Sequence, residues 1–442
     1  MQLMAASRKQ YTYPVKTVND AKAVLEPEFQ PDLFDNQHLY VDLDAIRDVD
    51  YLHDLYFDLG YNPGKKEFKI VSDYTKIIFS GHRGCGKSTE LRRINKELNH
   101  PDRYFTVFID LEKEVEVGSF QYTDFFSLLI HKLIQRLEEK KIDAGLNRLQ
   151  DLAKQLLPTK IVESAVDKEK LDSAASLGAE AGFKLFGLLG FKTSFKETFS
   201  GENEIATTIR KEIKQNTLSL VYSLNAELVE TRMAIEASGH GKDILFIIDG
   251  SEKVKSEVYE EIFIANGNIV SQLNMNLLTA VPISAFFQIE KAPYKFLNRY
   301  TVPMIKVDGD DRAEELMAEI VAKRIDLTIF IEKNALKTCI TYSGGCIRQL
   351  FQVIHTALKK SLGEKIQQKH VEKAIKQLGM YLWEYLDNEH LRILKEEDYR
   401  PAERKVDELL YILILLKYNG KIKINPLLKE YSDFKEWKTR HK

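Results

Sequence analysis

The stretch FSGHRGCGKSTEL, residues 79–91, constrains the fold of this chain more than any other feature. Its Gly81, Gly86, Lys87 and Ser88 match the spacing G-x-x-x-x-G-K-[ST] without a gap. The apolar segment KIIFSG before it is typical of a buried strand, and STELRRINKELN after it has the apolar spacing of an amphipathic helix. The stretch therefore predicts a strand, a glycine-rich loop and a helix, which is the local structure of a phosphate-binding loop.

The chemistry of such a loop comes mainly from its backbone. Glycines let the amides turn inward around an anion, and the helix N-terminus adds its partial positive charge. We expect Lys87 to reach the outer phosphates of ATP and the Ser88 hydroxyl to bind Mg²⁺. The side chains of His82, Arg83 and Cys85 are expected to have no part of their own, because the backbone binds at those positions. The expected nucleotide-binding residues of the loop are Gly81, His82, Arg83, Gly84, Cys85, Gly86, Lys87, Ser88 and Thr89.

A carboxylate at the end of a neighbouring strand is the second requirement of this chemistry. The segment KDILFIIDG predicts the most apolar strand of the chain, and the aspartate that ends it, Asp249, is the expected Mg²⁺ residue together with Ser88. Asp110 ends another predicted strand, YFTVFIDL, and competes for that role. Glu252 follows closely and could orient or deprotonate a water, with a solvated turn carboxylate as the alternative.

The order of predicted elements indicates an α/β fold with a doubly wound parallel sheet. NMNLLTAVPIS and YTVPMIKV supply further strands, and the segment ENEIATTIRKEIKQNTLSLVYSLNAELVETRMAIEAS, without proline or glycine, predicts one long helix or a helical pair. The 442 residues exceed what one core usually organises. The expected domains are an N-terminal lead-in at 1–45, a P-loop domain at 46–310 with a helical insertion at about 121–242, a helical lid at 311–380, and a small winged-helix-like unit at 381–442.

Composition narrows the classes of protein that remain. Lys and Arg number 64 against 66 Asp and Glu, so no overall positive field attracts nucleic acid. Three cysteines without metal-type spacing, and a start without an apolar leader, lead us to expect a cytoplasmic protein. No stretch has the roughly 18 uninterrupted apolar residues of a membrane helix. The nearest, at 176–191, contains Glu180 and Lys184; we expect a flexible or protein-packed insert, with membrane-surface contact as the alternative.

Four segments, FSGHRGCGKSTEL, IIDGSEK, LLTAVPIS and SGGCIRQL, resemble in that order the AAA+ and STAND NTPases, especially the origin-recognition-like branch and its bacterial relatives. The resemblance spans most of 51–358, and a glycine follows Asp249 where many AAA+ motors have a glutamate. It implies that Thr279 lies at the sensor 1 position and holds the attacking water, with a plain buried threonine as the alternative. It also implies that Arg348 is the sensor 2 arginine of a lid helix, able to reach the outer phosphates.

The same resemblance has implications for assembly and function. Arg299 lies where AAA+ proteins often carry an arginine finger, with Arg324 as a rival, and such a finger requires a homo-oligomer. One implied function is an ATPase that switches an assembly in bacterial anti-phage defence, with a partner effector or sensor. The second is a DNA-remodelling or loading ATPase, and the third is an adaptor that binds ATP without turnover. Because the sequence has no H-E-x-x-H, G-x-S-x-G or other second catalytic motif, the output is expected to be conformational or to belong to a partner.

Overall fold

The structure is a computed structural model that describes residues 11–27, 33, 36–47, 50–143, 146, 149, 196, 199, 204–250, 254–291, 297–401 and 403–440. The strands are β1 (Tyr61–Asn62), β2 (Glu67–Phe68), β3 (Lys76–Gly81), β4 (Tyr104–Asp110), β5 (Asp243–Asp249), β6 (Asn276–Ala280), β7 (Leu297–Val302), β8 (Leu415–Tyr418) and β9 (Lys421–Ile424).

The helices of the described ranges are α1 (Val18–Val24), α2 (Asp50–Asp58), α3 (Lys87–Leu98), α4 (Leu111–Glu114), α5 (Tyr122–Lys140), α6 (Glu204–Ala237), α7 (Ser256–Glu260), α8 (Gly267–Ser271), α9 (Ile283–Glu290), α10 (Asp311–Ala322), α11 (Leu327–Phe330), α12 (Lys333–Tyr342), α13 (Ile347–Lys360), α14 (Gln368–Glu384), α15 (Asn388–Glu396), α16 (Arg404–Tyr411), α17 (Pro426–Glu430) and α18 (Ser432–Arg440). A 3-10 turn covers Gln37–Leu39, and a π-helical turn, Glu261–Ala265, follows α7. None of these helices is long and apolar enough to cross a membrane.

The chain forms two compact units. The first, here the sheet unit, comprises 50–80 and 90–301; the second, here the loop-lid unit, comprises 1–49, 81–89 and 302–442. Each domain predicted from the sequence is one continuous segment, whereas each of these two units is made of two or three segments of the chain. The functional division into lead-in, P-loop domain, lid and C-terminal unit stays a prediction.

A five-stranded sheet organises the sheet unit, in the order β4-β5-β6-β3-β7. The pairs β3–β6, β4–β5 and β5–β6 are parallel, which confirms the predicted α/β class. Every residue of β5 is buried, as expected of a strand that is covered on both faces. Because parallel strands point the same way, the carboxyl ends of β3, β5 and β6 lie at one edge of the sheet, where ligands bind in open α/β folds.

The predicted strand YTVPMIKV is wrong at its carboxyl half. β7 ends at Val302, immediately before Pro303, which has no N–H to donate to a neighbouring strand. Arg299 therefore lies inside β7 and not before it. The helices α5 and α6 lie in the predicted helical insertion. The backbone of α6 is kinked at Asn216, so this segment consists of two consecutive helices. The segment 176–191 lies outside the described residues.

The core of the loop-lid unit is formed by α10–α14 together with the N-terminal stretch. Val15 forms a parallel bridge with Ile325, and both side chains are buried in one cluster with Ala21, Val24 and Leu25. The stretch is thus held by the same core as the lid helices. Farther along, the predicted Asn-Gly turn joins β8 to β9 in an antiparallel hairpin between α16 and α17.

Candidate nucleotide-binding site

The glycine-rich loop has backbone angles that only glycine adopts easily. Gly84 has φ +78° and Gly86 has φ +103°, both in the left-handed half of conformational space. The chain then enters α3 at Lys87, so that Ser88 and Thr89 lie in its first turn, half-buried. The first turn of a helix presents unbonded N–H groups and a partial positive charge. This geometry is suited to hold a phosphate group.

The Lys87 side chain folds back over the loop. Its Nζ donates hydrogen bonds to the carbonyl oxygens of Gly81 at 2.9 Å and of His82 at 3.0 Å. The residue is buried, so its ammonium group lies within the loop and not in solvent. Carbonyl oxygens are weaker partners for an ammonium than phosphate oxygens, because phosphate oxygens carry negative charge and carbonyl oxygens are neutral. A bound phosphate would therefore compete well for this lysine.

The first turn of α13 packs directly on the loop and brings Arg348 to it. A Cβ atom added to Gly84 would lie 2.2 Å from the Cβ of Arg348, and the Arg348 N–H donates to the Gly84 carbonyl at 3.4 Å. The predicted glycine break precedes this helix: Gly345, at φ +79°, lies so close to Ile305 that a Cβ would meet its carbonyl oxygen at 1.8 Å. Loop and lid helix thus belong to one compact unit.

The Arg348 guanidinium is incompletely bonded. Among the described residues, nothing accepts a hydrogen bond from its buried Nη1. A buried donor without a partner costs about 1–3 kcal/mol, so such groups persist where a ligand or a conformational change uses them. The position and the unused donor agree with the expected contact between Arg348 and a nucleotide phosphate, which stays a prediction.

Arg47, a residue to which the sequence drew no attention, also touches the loop. It is only 5% exposed, and its Nη2 donates to the Cys85 carbonyl at 2.7 Å. A Cβ on Gly86 would meet the same guanidinium at 3.5 Å. A single arginine at this position belongs to no motif, and its contact spans 38 residues, so no local pattern predicts it.

The side chain of His82 is bonded through both ring nitrogens, so it has structural contacts in addition to the backbone role that the motif gives this position. Nε2 accepts the Lys417 N–H at 2.7 Å, and Nδ1 lies 3.0 Å from the Leu410 carbonyl oxygen. Burial lowers the pKa of this histidine to about 3. The other two loop side chains behave differently: Cys85 is buried, and Arg83 is half-buried with its carbonyl 3.5 Å from the Cys346 Sγ.

In the sheet unit, β5 and β6 carry the other expected residues. Asp249 ends β5 and is buried, in register with Asp110 of β4. Asp110 is paired with Lys113 at 2.9 Å and Arg92 at 3.6 Å, so its charge already has two cations beside it. Asp249 stays the expected metal-binding carboxylate, because it ends the fully buried strand β5.

Thr279 is the second expected residue at this end of the sheet. It pairs in register with Ile248, the residue before Asp249. Its side chain is fully buried, and within the part of the chain that the structure describes its Oγ1 has no hydrogen-bond partner. A threonine whose only role is packing usually bonds a nearby carbonyl, as Ser80 bonds Val281 at 3.0 Å. The unused hydroxyl favours the sensor interpretation.

Three expected residues remain. Glu252 lies outside the described residues. Arg299 is half-buried within β7. Arg324, the rival finger, is buried: its Nη1 donates to the Ile320 carbonyl at 2.8 Å and its guanidinium stacks 5.0 Å from the Phe351 ring. Its burial and these contacts make Arg324 a core residue and a poor candidate for entering a neighbouring subunit, and the same burial lowers its pKa to about 10.

No protein-family model matches this chain, and no curated protein matches its sequence. Among solved structures, it is similar to the crystal structure of Cdc6p from Pyrobaculum aerophilum, with a TM-score of 0.33 and 11% sequence identity over 95% of this chain and 98% of that chain. Similarity at this level carries no argument about function, and the proposal below therefore depends on the chain's own residues.

Proposed function

We propose that this protein is a Mg²⁺-dependent P-loop ATPase that acts as a nucleotide-driven conformational switch or assembly scaffold. The observation that supports it most is the packing of the lid arginine on the loop that precedes α3. Arg348 contacts Gly84 and has a buried donor for which the described residues provide no acceptor. A phosphate bound there would be sensed by loop and lid together. The site thereby links the chemistry of a nucleotide to the position of a helical domain.

The residues present fit ATP and Mg²⁺ by their chemistry. Lys87 supplies a positive charge for the outer phosphates, and Ser88 and Asp249 supply the oxygens that Mg²⁺ prefers. Bound Mg²⁺ would neutralise part of the phosphate charge. Thr279 offers an unused hydroxyl for the attacking water, and Glu252 keeps its expected role as the group that orients or deprotonates it.

Thermal unfolding and calorimetric titration with Mg-ATP test the central claim. The melting temperature of the parent protein should rise with the logarithm of the ATP concentration once that concentration exceeds the dissociation constant, because ATP binds the folded state and not the unfolded one. Lys87→Ala should weaken ATP binding about 100-fold, since the charged hydrogen bonds it loses are worth about 3 kcal/mol. Lys96→Ala removes an exposed lysine of the same helix and is the matched control. Equal ATP affinity in both variants would overturn the proposal.

A second pair of measurements separates an ATPase switch from an adaptor that holds ATP without turnover. Glu252→Gln keeps the size of the side chain and removes its basicity. In a switch, the parent protein hydrolyses ATP, and the variant retains ATP and accumulates the nucleotide-bound particle. If turnover is equally negligible in both, the adaptor interpretation replaces the switch.

Assembly and partners are part of the proposal and have less support. An arginine finger at Arg299 would make the active form a homo-oligomer, and native mass measured with ATP, with ADP and without nucleotide tests this. A cytoplasmic role in defence signalling with a partner effector or sensor follows only from the resemblance to STAND NTPases. Genes that neighbour this one and encode an effector would support it.

A DNA-remodelling or loading ATPase is the second candidate function. The β8–β9 hairpin between α16 and α17 favours it, because this arrangement resembles a winged helix. The charges of the region weigh against it: Lys423 pairs with Asp308, Lys435 with Glu430, and Lys438 with Glu397. Salt-sensitive duplex binding that disappears on deleting 407–442 would favour this candidate over the switch.

A further inference from the structure

The His82 imidazole connects the nucleotide loop to the β8–β9 hairpin through two specific hydrogen bonds. A backbone N–H can only donate, so Nε2 must be the acceptor for Lys417. Nδ1 then carries the proton of the neutral ring and donates it to the Leu410 carbonyl at 3.0 Å. These partners are 328 and 335 residues away in sequence, one at the end of α16 and one in β8.

On the hairpin side, the contact is made by the outer edge of β8. Lys417 is in register with Ile422 of β9. Its N–H goes to His82 and its carbonyl accepts the Met304 N–H at 3.2 Å, so the residue uses both backbone groups to hold the hairpin in the loop-lid unit. A strand edge that is bonded in this way has a defined position, and that position depends on the imidazole.

On the loop side, the same residue is a partner of the phosphate-binding lysine. The His82 carbonyl oxygen accepts from Lys87 Nζ at 3.0 Å and from the Cys85 N–H at 3.2 Å. A phosphate that draws the Lys87 ammonium away therefore removes one of the bonds that fix His82. The ring and the carbonyl belong to one residue, so a change at the carbonyl is passed to the hairpin contact.

We propose that His82 is a positioning residue that couples nucleotide binding at the loop to the placement of the β8–β9 hairpin. The inference rests on the proposed ATP-binding function and adds to it a defined responding element. In this proposal the β8–β9 hairpin of the C-terminal unit changes position when the loop binds nucleotide, a role that the loop motif alone does not predict.

The link is built to work at any physiological pH. Burial, helped by the positive charges of Lys87 and Lys417, lowers the pKa of His82 to about 3. The ring therefore stays neutral, and its donor and acceptor keep their places. In this proposal His82 shifts because the Lys87 ammonium leaves its carbonyl oxygen, and not because the imidazole gains a proton.

Hydrogen exchange at the Lys417 amide, measured on the full chain with and without Mg-ATP, tests the coupling. We expect about tenfold faster exchange with ATP, which is the effect of weakening one hydrogen bond by about 1.4 kcal/mol. His82→Gln keeps an acceptor near the Nε2 position and should retain the ATP response. His82→Asn keeps only a donor near the Nδ1 position and should lose it.

His390→Ala is the matched control, because this buried histidine also contacts α16, with its Nε2 3.3 Å from Glu408, and it touches no loop residue in the described contacts. Its ATP response should equal that of the parent. If Mg-ATP fails to raise the melting temperature, the proposed function is wrong. If ATP binds but the Lys417 amide exchanges at an unchanged or slower rate, or if His82→Asn responds like the parent, the coupling alone is wrong.

Discussion

Strand β5 carries an aspartate at each end, and the two aspartates differ in their surroundings. At the amino end, Asp243 accepts hydrogen bonds from Arg232 Nε at 2.7 Å and from Asn276 Nδ2 at 2.8 Å. At the carboxyl end, Asp249 lies in register with another carboxylate, Asp110, and next to a strand whose Thr279 hydroxyl is unused. The same strand thus begins in a closed ion network and ends beside a buried hydroxyl, that of Thr279, for which the described residues provide no hydrogen-bond partner.

The neighbouring strand β6 repeats the difference. Its first residue, Asn276, bonds Asp243, the Ile244 carbonyl at 3.2 Å, and the Thr75 N–H at 3.0 Å. Thr279, three residues on, has no partner among the described residues. Buried polar groups that satisfy each other fix a structure, whereas groups left unsatisfied mark places where function has been favoured over stability. From this contrast we propose that the amino edge of the sheet is structural and that the carboxyl edge is the functional one.

Asparagine at each end of β5 provides the largest expected difference. Asp243→Asn should lower the free energy of unfolding by about 3 kcal/mol, because it leaves the largely buried Arg232 without its counter-charge. Asp249→Asn should lower Mg²⁺-dependent ATP hydrolysis about 100-fold. Urea unfolding and a phosphate-release assay measure the two effects.

Each of these two variants serves as the control of the other. ATP affinity should be unchanged in folded Asp243→Asn, and Asp249→Asn should lose ATP hydrolysis while it remains folded. The contrast between the two edges fails if Asp249→Asn unfolds as easily as Asp243→Asn while both retain ATPase activity.

Thr279→Val should have a smaller effect, in opposite directions on stability and activity. Valine has nearly the same shape and removes a buried hydroxyl without a partner, so the free energy of unfolding should stay equal or rise by about 1 kcal/mol. ATP hydrolysis should fall about tenfold if the hydroxyl holds the attacking water. A loss of stability with normal hydrolysis would show that this threonine is an ordinary packing residue. Ser80→Ala, which removes a bonded hydroxyl from β3, is the comparison.

Lys76→Met, at the structural edge, should change stability alone. Burial lowers the pKa of the Lys76 ammonium to about 7 from its ordinary 10.5, and the Arg232 charge adds to the shift. Below pH 7 the folded state holds the charged lysine and bears the whole cost of burying it. Between pH 7 and 10.5 only the unfolded state keeps the proton, so that cost declines as pH rises.

The methionine variant should accordingly be more stable than the parent by about 2 kcal/mol at pH 6, with the gain shrinking toward pH 10. Thermal unfolding across this pH range checks the sign. A gain that is constant with pH would mean that packing and not charge burial explains it, and a change in ATP affinity would contradict the separation of the two edges.

The parts of this molecule that sequence predicts are those whose causes are local. The all-buried β5, the Asn-Gly turn of the hairpin and the helix that opens at Lys87 each follow from neighbouring residues. The two bonds of His82 and the bond from Arg47 to Cys85 join segments far apart in the chain, and no spacing rule announces them. The motif predicts that the loop backbone binds phosphate. The fold is needed to show which side chains contact the loop and fix its position.

The loop and the first turn of α13 are so close at Gly84 that no methyl group fits between them. The 2.2 Å that would separate its Cβ from that of Arg348 is far below any contact that carbon atoms accept. An alanine there would push the first turn of α13 away from the loop, although Lys87 and Ser88 would be unchanged. The absence of a side chain at Gly84 thus sets the distance between loop and lid helix, and even one added methyl group would keep the two apart.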